Sequence, residues 1–475
     1  MRSAETGNAS VPTGLRARHV ADSNHGTTTA TAEVADAPFG KVGARLIPFL
    51  FLLYIIAFLD RVNVSYAKLQ MSVDLHFSDE VYGLGAGMFF IGYFLFEVPS
   101  NLVLARVGAR IWIARILIVW GLISAGFMFV QTPLQFYAMR FLLGVGEAGF
   151  FPGVILYLTY WFPSQYRARV IATFMTAIAL AGVIGGPVSG WMMRDLAGLH
   201  GLAGWQWLFL AEGLPAVVFG FITLAYLDNG PHTARWLTPQ EKLAIDRRLE
   251  QDRREQAAAG GPERFLASLG DRRLWTLALT GFCINIGMYG VNFFLPQLIK
   301  DIGVKDLLYI GLLSAIPYGV AAVAMVANGR HSDAQMERRW HTAVPALTAA
   351  VGLVLAASTG SAQPHAAFAG LTLATAGALC AISAFWSMPP TLLRGSAAAG
   401  GIATICSFAN LGGLVGPYIM GWGKTHLPSG SGGMYVLATS LVLAAGLAVM
   451  ACRRVGLHDR SATVALEDKA PGPAL

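Results

Sequence analysis

Charge is the scarcest ingredient of this chain. Only 13% of its 475 residues are Asp, Glu, Lys or Arg, where a soluble protein carries roughly a quarter. With 55% apolar residues and a mean hydropathy of +0.54, the shortage runs along the whole chain and points to lipid as the solvent rather than to one large soluble core. Cysteine is scarce as well. The four present (Cys283, Cys380, Cys406, Cys452) lie in or beside apolar runs with no metal-ligand spacing, so no disulfide framework and no metal site follows from them. A nucleophile motif is also missing, and "GVGEAG" lacks the Lys-Ser/Thr that would make it a phosphate loop. Residues 1–41 contain no signal-peptide core; their Ala, Thr, Gly and Ser content reads as a disordered tail.

What is abundant is the apolar run of about 20 residues that a spanning helix needs. Twelve are expected, near 46–66, 81–104, 112–130, 135–159, 168–192, 206–227, 275–298, 308–328, 342–360, 366–389, 396–421 and 434–452. The net charge of +7 suggests nucleic acid until its placement is examined. Of the Lys and Arg residues, only Lys68, Arg194, Lys300, Lys305 and Lys424 fall in odd-numbered loops, and Arg61 and Arg140 fall inside runs. The others sit in the tails and even-numbered loops, which the positive-inside rule assigns to the cytoplasm. No nucleic-acid partner is expected; lipid is. Both termini then lie inside, in a bacterial-type inner membrane.

The longest gap divides the chain into a six-helix bundle over 42–227, a cytoplasmic linker over 228–273, a second bundle over 274–454 and a tail over 455–475. In the linker, Thr238, Pro239 and Glu241 spell a capped helix start; Leu243 and Leu249 offer little apolar face, so a solvated helix is expected. The halves echo each other, with "GGPVSGW" ending the fifth run and "VGPYIMGW" the eleventh. The expected fold is all-α: twelve transmembrane helices in two pseudo-symmetric halves, with a site at the midplane between them. The four-spaced glycines Gly149/Gly153, Gly182/Gly186/Gly190 and Gly412/Gly416 read as flat faces for close helix crossing.

Ionised side chains within a bilayer cost about 2.5–3.5 kcal/mol or more and mark function. Asp60, Arg61, Arg140 and Glu147 stand out in the amino half, with Glu97 near a helix end where it can reach the interface. Arg140 and Glu147, seven apart, share a helix face roughly 10 Å apart along the axis. Asp60 and Arg61 are adjacent, so about 100° of helix rotation turns them to different faces; Tyr54 shares the stripe of Arg61, and Asp60 is expected to look toward Arg140. Arginine suits a carboxylate because its planar fork gives two hydrogen bonds. A buried carboxyl suits proton carriage, since burial and a neighbouring cation tune it. Arg61 is therefore the candidate anion site, Asp60 and Glu147 the candidate proton carriers, and Arg140 the balancing charge. Two ion pairs that merely lock the amino half are the competing account.

The loop "GRHSDAQMERRWH" and the motifs "FLDRVNVSYA", "FEVPSNLVLARVGAR", "RFLLGVGEAGFFPG" and "WFPSQYRAR", in this order, resemble the major facilitator superfamily, in particular its anion:cation symporters. The resemblance covers roughly residues 42–455. It implies proton-coupled import of a small organic carboxylate by alternating access, without catalysis or a cofactor beyond protons, in a monomer. For site residues it implies Tyr93, Tyr289, Asn292, Trp386 and Asn410 along the cavity, and a gating or balancing role for Asp333 and Arg338. Cys406 stands where sugar-acid carriers tend to show Asn, which implies a less hydroxylated acid. Export of drugs and nutrient sensing without transport are the alternatives; Arg61 counts against a cation exporter.

Overall fold

The computed structural model describes residues 25–258, 270–335, 337–389, 397–427 and 430–467. Sixteen α-helices occur among them. In the amino half these are α1 (His25–Asp74), α2 (Asp79–Val107), α3 (Ala109–Gly126), α4 (Pro133–Glu147), α5 (Phe150–Thr159), α6 (Ser164–Met175), α7 (Ala177–Asp195) and α8 (Gly204–Tyr226). The linker carries α9 (Pro239–Ala258). The carboxyl half has α10 (Arg272–Asp301), α11 (Leu307–Gln335), α12 (Arg339–Thr359), α13 (Pro364–Phe385), α14 (Ala397–Asn410), α15 (Gly412–His426) and α16 (Gly432–Glu467).

Eleven described segments are long and apolar enough to cross a membrane, α4 and α5 counting as one and α14 and α15 as another. The remaining expected run, 168–192, is divided into α6 and α7 at Thr176. Its counterpart in the other half is interrupted in the same way at Leu411, between α14 and α15. Local chemistry sets the starts. Ser78 caps α2 by accepting from the Val81 N–H at 3.1 Å, and Thr132 and Gln135 form a capping box with Pro133 in the first turn of α4.

Among the described residues the halves meet chiefly along α1 with α10, α2 with α15 and α7 with α11. The second and third pairs exchange under the pseudo-twofold that relates the halves. Glycine makes the α7–α11 crossing possible: a side chain on Gly186 would strike the Gly311 carbonyl, and one on Gly311 the Gly186 carbonyl. At one end of the bundle polar contacts also join the halves. Lys68 pairs with Asp79 at 2.5 Å and donates to Gln297 at 3.2 Å; Lys300 donates to the Leu69 carbonyl, and Tyr82 to the Phe293 carbonyl at 2.8 Å.

Three expectations change. The stretch expected as a tail up to residue 41 is helical from His25 and runs into the first span, in keeping with its alanine content; residues 1–24 lie outside the described ones. At the other terminus α16 continues to Glu467, past the expected end of the last bundle. The linker helix starts at the Thr238–Glu241 capping box as expected, but it is docked rather than solvated. Ile245, Leu249 and Asp252 share one face and are buried. Asp252 accepts from the Ser164 N–H at 3.2 Å and from Arg167 at 3.0 Å. Lys41 pairs with Glu241 at 3.0 Å, so the helix is fastened to the amino half at both ends. Burying each aliphatic side chain contributes roughly 1.5–3 kcal/mol.

Candidate functional site: a buried arginine between two halves

In the last third of α1, Arg61 forms an ion pair with Glu147, the last residue of α4. The helix stops there because Ala148 leaves helical geometry and Gly149 takes a left-handed φ of +85°. Arg61 is 11% exposed at its side chain and Glu147 is fully buried. The guanidinium lies 5.3 Å from the Phe89 ring and 5.6 Å from the Tyr93 ring of α2, and Tyr289 of α10 lies beside it. Tyr54 lies beside it, stacked on Phe174 at 4.4 Å. Four helices from both halves thus converge on one cation. Its Nε and the Glu147 Oε2 have no hydrogen-bond partner among the described residues, so the pair is only partly satisfied.

Adjacency separates Asp60 from Arg61 as expected, but the direction differs. Asp60 turns toward α3, where it accepts from Trp120 Nε1 and Ser124 Oγ, and from Asn63 Nδ2 at 3.0 Å. The direct contact with Arg140 is not made. The 100° step from Arg61, which faces α4, carries Asp60 toward α3 instead. Three neutral donors replace a cation as its partners. Arg140 is fully buried and makes no ion pair among the described residues. It donates to the Ala86 carbonyl at 3.1 Å and lies over Phe89 and over Phe293 of the other half, at 5.2 and 5.6 Å. Its Nε and Nη1 have no partner among the described residues.

The remaining expected positions divide. Asn410 lies beside Glu97 and donates to Cys406 Sγ at 3.9 Å. Asn292 is buried on α10 with its Nδ2 unpartnered among the described residues. Trp386 packs on Phe385 in a separate apolar cluster of the carboxyl half. Asp333 and Arg338 pair at 2.5 Å in the turn between α11 and α12, with Arg338 also donating to Ser332; this clasp lies within one half.

Three buried charges were not expected at the site. Glu97, read as reaching the interface, is 6% exposed and faces Cys406 and Asn410 across the boundary between the halves. Lys68, read as a loop residue, is buried in α1. Glu212 of α8 is buried at 7% exposure. The rule that singles out Asp60, a carboxylate within an apolar run, applies equally to Glu212 in "LFLAEGLPAVVFG". The buried Asp, Glu, Lys and Arg side chains of the spans all belong to the amino half among the described residues.

Such a bundle, two pseudo-symmetric halves around a buried charged centre, is the architecture of a secondary transporter. Comparison with known proteins agrees. The family model described as Major Facilitator Superfamily matches residues 50–417, and the chain belongs to that family. It is a multi-pass membrane transporter and not an enzyme. A candidate tartrate transporter of Agrobacterium vitis is 49% identical over 85% of this chain and 92% of its own length. NicT, a candidate metabolite transport protein of Pseudomonas putida, is 44% identical over 90% of this chain and 95% of its own. Among solved structures, a bacterial homologue of the human lysosomal transporter Spinster, inward-facing and occupied, superposes with a TM-score of 0.70 at 17% identity, covering 86% of this chain and 97% of that one.

Proposed function

We propose that the protein is a proton-coupled symporter that imports a small organic carboxylate across the bacterial inner membrane by alternating access. One observation carries the reading: a buried arginine, ringed by Tyr54, Tyr93 and Tyr289, is occupied by an internal carboxylate, Glu147. A substrate carboxylate wants the same guanidinium, so it competes with Glu147 for Arg61. A proton on Glu147 removes the competitor and leaves Arg61 free to bind the anion with two hydrogen bonds. Loss of that proton restores the internal pair and expels the substrate. Binding of proton and anion is then linked in the sense symport needs.

Asp60 is the second proton site in this reading, and Arg140 supplies positive potential to both acids without pairing with either. The tyrosine hydroxyls and Asn292 and Asn410 select among carboxylates. The description of the Agrobacterium vitis relative as a tartrate transporter favours a dicarboxylic hydroxy acid such as tartrate. Both termini and α9 lie on the cytoplasmic side, so the end joined by Lys68, Asp79 and Gln297 faces outward. The unit that works is a monomer.

The test is uptake into proteoliposomes with an imposed inward proton gradient, against tartrate, other dicarboxylates, sugar acids and aromatic acids. Stimulation by the gradient is expected for at least one of them. No stimulation with any of the panel refutes the coupling; stimulation by an outward gradient makes the protein an exporter.

A further inference from the structure

Glu97 has no part in the coupling scheme, yet it lies beside the anion site. It follows Tyr93 by four residues on α2, so the two share a face about 6 Å apart along the axis. The Tyr93 ring is 5.6 Å from the Arg61 guanidinium, which places Glu97 one turn beyond the ring that flanks the cation. Its side chain leaves the amino half and meets α14 of the carboxyl half. It is buried there, at 6% exposure.

Its hydrogen bonding is incomplete. Oε1 accepts from Cys406 Sγ at 4.0 Å, and a thiol is a weak donor. Asn410, one turn along α14, aims its Nδ2 at the same sulfur, 3.9 Å away. Oε2 has no hydrogen-bond partner among the described residues. No Lys or Arg forms an ion pair with Glu97 among them, and Arg61, whose charge acts on it, is held by Glu147. A buried acceptor without a donor is costly and rare. This one sits on the boundary between two halves that part during transport, next to an arginine suited to a carboxylate. A donor that arrives with the substrate accounts for it.

The chemistry of the neighbours narrows that donor. A second substrate carboxylate would bring another acceptor and repel Glu97. An ammonium group would donate, but beside Arg61 it would be repelled in turn. A hydroxyl donates without charge. We propose that Glu97 determines specificity at the anion site: while Arg61 holds the substrate carboxylate, Glu97 accepts a hydrogen bond from a substrate hydroxyl, so hydroxy acids bind in preference to their deoxy counterparts. The inference rests on the reading of Arg61 as the carboxylate site.

Isothermal calorimetry on the detergent-purified full chain, at fixed pH and without a proton gradient, tests this. The probes are two pairs that differ only in hydroxyls: tartrate and succinate, mandelate and phenylacetate. In the wild type the hydroxy acid of at least one pair should bind roughly 10- to 100-fold tighter than its deoxy partner. Glu97→Gln keeps the shape and an acceptor oxygen, and should keep most of that preference. Glu97→Leu should abolish it by weakening the hydroxy acid, while the deoxy acid binds at least as tightly as in the wild type. That retained binding shows that the variant folds. The same preference in the wild type and Glu97→Leu overturns the proposal and leaves Glu97 to water. Equal weakening of both members of a pair in Glu97→Gln and Glu97→Leu makes Glu97 structural and overturns it as well. A wild type that binds both members equally, or none of the four acids, also overturns it. The carboxylate reading is judged separately: Arg61→Lys should weaken both members of a pair alike, and unchanged affinities there refute Arg61 as the anion site whatever Glu97 does.

Discussion

Replacing Glu147 by Gln separates the two things its carboxylate does, holding Arg61 and carrying a proton. The side chain keeps its shape, so the break after α4 and the packing of Gly149 are preserved. What is lost is a buried ion pair. Two unit charges at about 4 Å interact by about 4 kcal/mol at an effective dielectric of 20. An incoming carboxylate recovers most of this, and the part it must spend displacing Glu147 is on the scale of one charge-assisted hydrogen bond, about 1.5–3 kcal/mol. Anion affinity in the wild type should therefore fall as pH rises and Glu147 ionises. In Glu147→Gln it should be roughly 10- to 100-fold tighter at alkaline pH and flat with pH. Isothermal calorimetry on detergent-purified protein, with an acid ionised throughout the range, measures both curves. Counterflow exchange in proteoliposomes should survive the substitution, and gradient-driven accumulation should vanish. Parallel affinity curves for the two proteins would show that Glu147 and the substrate do not compete, and the mechanism would fall.

Further expectations follow from other contacts. Arg61→Lys loses the planar fork while keeping the charge, and should weaken anion binding by roughly tenfold or more, read by the same calorimetry. Gly186→Leu forces a side chain into the Gly311 carbonyl, and should lower the melting temperature through a cost of about 1–3 kcal/mol, while Ala349→Gly in α12 should not prevent the α7–α11 crossing from forming. Lys68→Met strips Asp79 and Gln297 of their shared partner; a spin-label pair across α1 and α10 at that end should report a larger population with the halves apart. The carboxyl of Glu241 lies below the ordinary range because the Thr238 N–H and then Lys41 favour its charged form. Its hold on Lys41 is complete above the ordinary carboxylate range and is lost as pH falls through the lowered value. Hydrogen exchange in 239–258 should accelerate only there, and sooner in Lys41→Ala.

The twelve-run pattern and the repeat of the two halves were legible because a bilayer demands long apolar runs and small residues at crossings. At Gly186 the four-residue spacing marked a close helix crossing, though not its partner Gly311. The charge separation of Asp60 and Arg61 followed from helix geometry, yet the partner of each did not. Residue spacing fixes a direction around one axis, whereas the identity of the facing helix depends on bundle topology; hence Asp60 meets Trp120 rather than Arg140. The linker helix was misjudged because its apolar face is short, Ile245 and Leu249, and its anchor is a carboxylate, Asp252, which looks solvated in a sequence. Glu97 and Glu212 show the same limit from the opposite side. Each is one acid in a run, and only the facing residues, Asn410 in one case and Ser189 in the other, reveal that it is held inside.

The buried Asp, Glu, Lys and Arg side chains of the spans come from the amino half alone among the described residues, while the carboxyl half offers aromatic and amide side chains such as Tyr289, Asn292 and Asn410. The molecule is thereby divided like a motor and a tool holder. A chimera that joins this amino half to the carboxyl half of a relative should inherit the partner's taste in acids and keep its own dependence on the proton gradient.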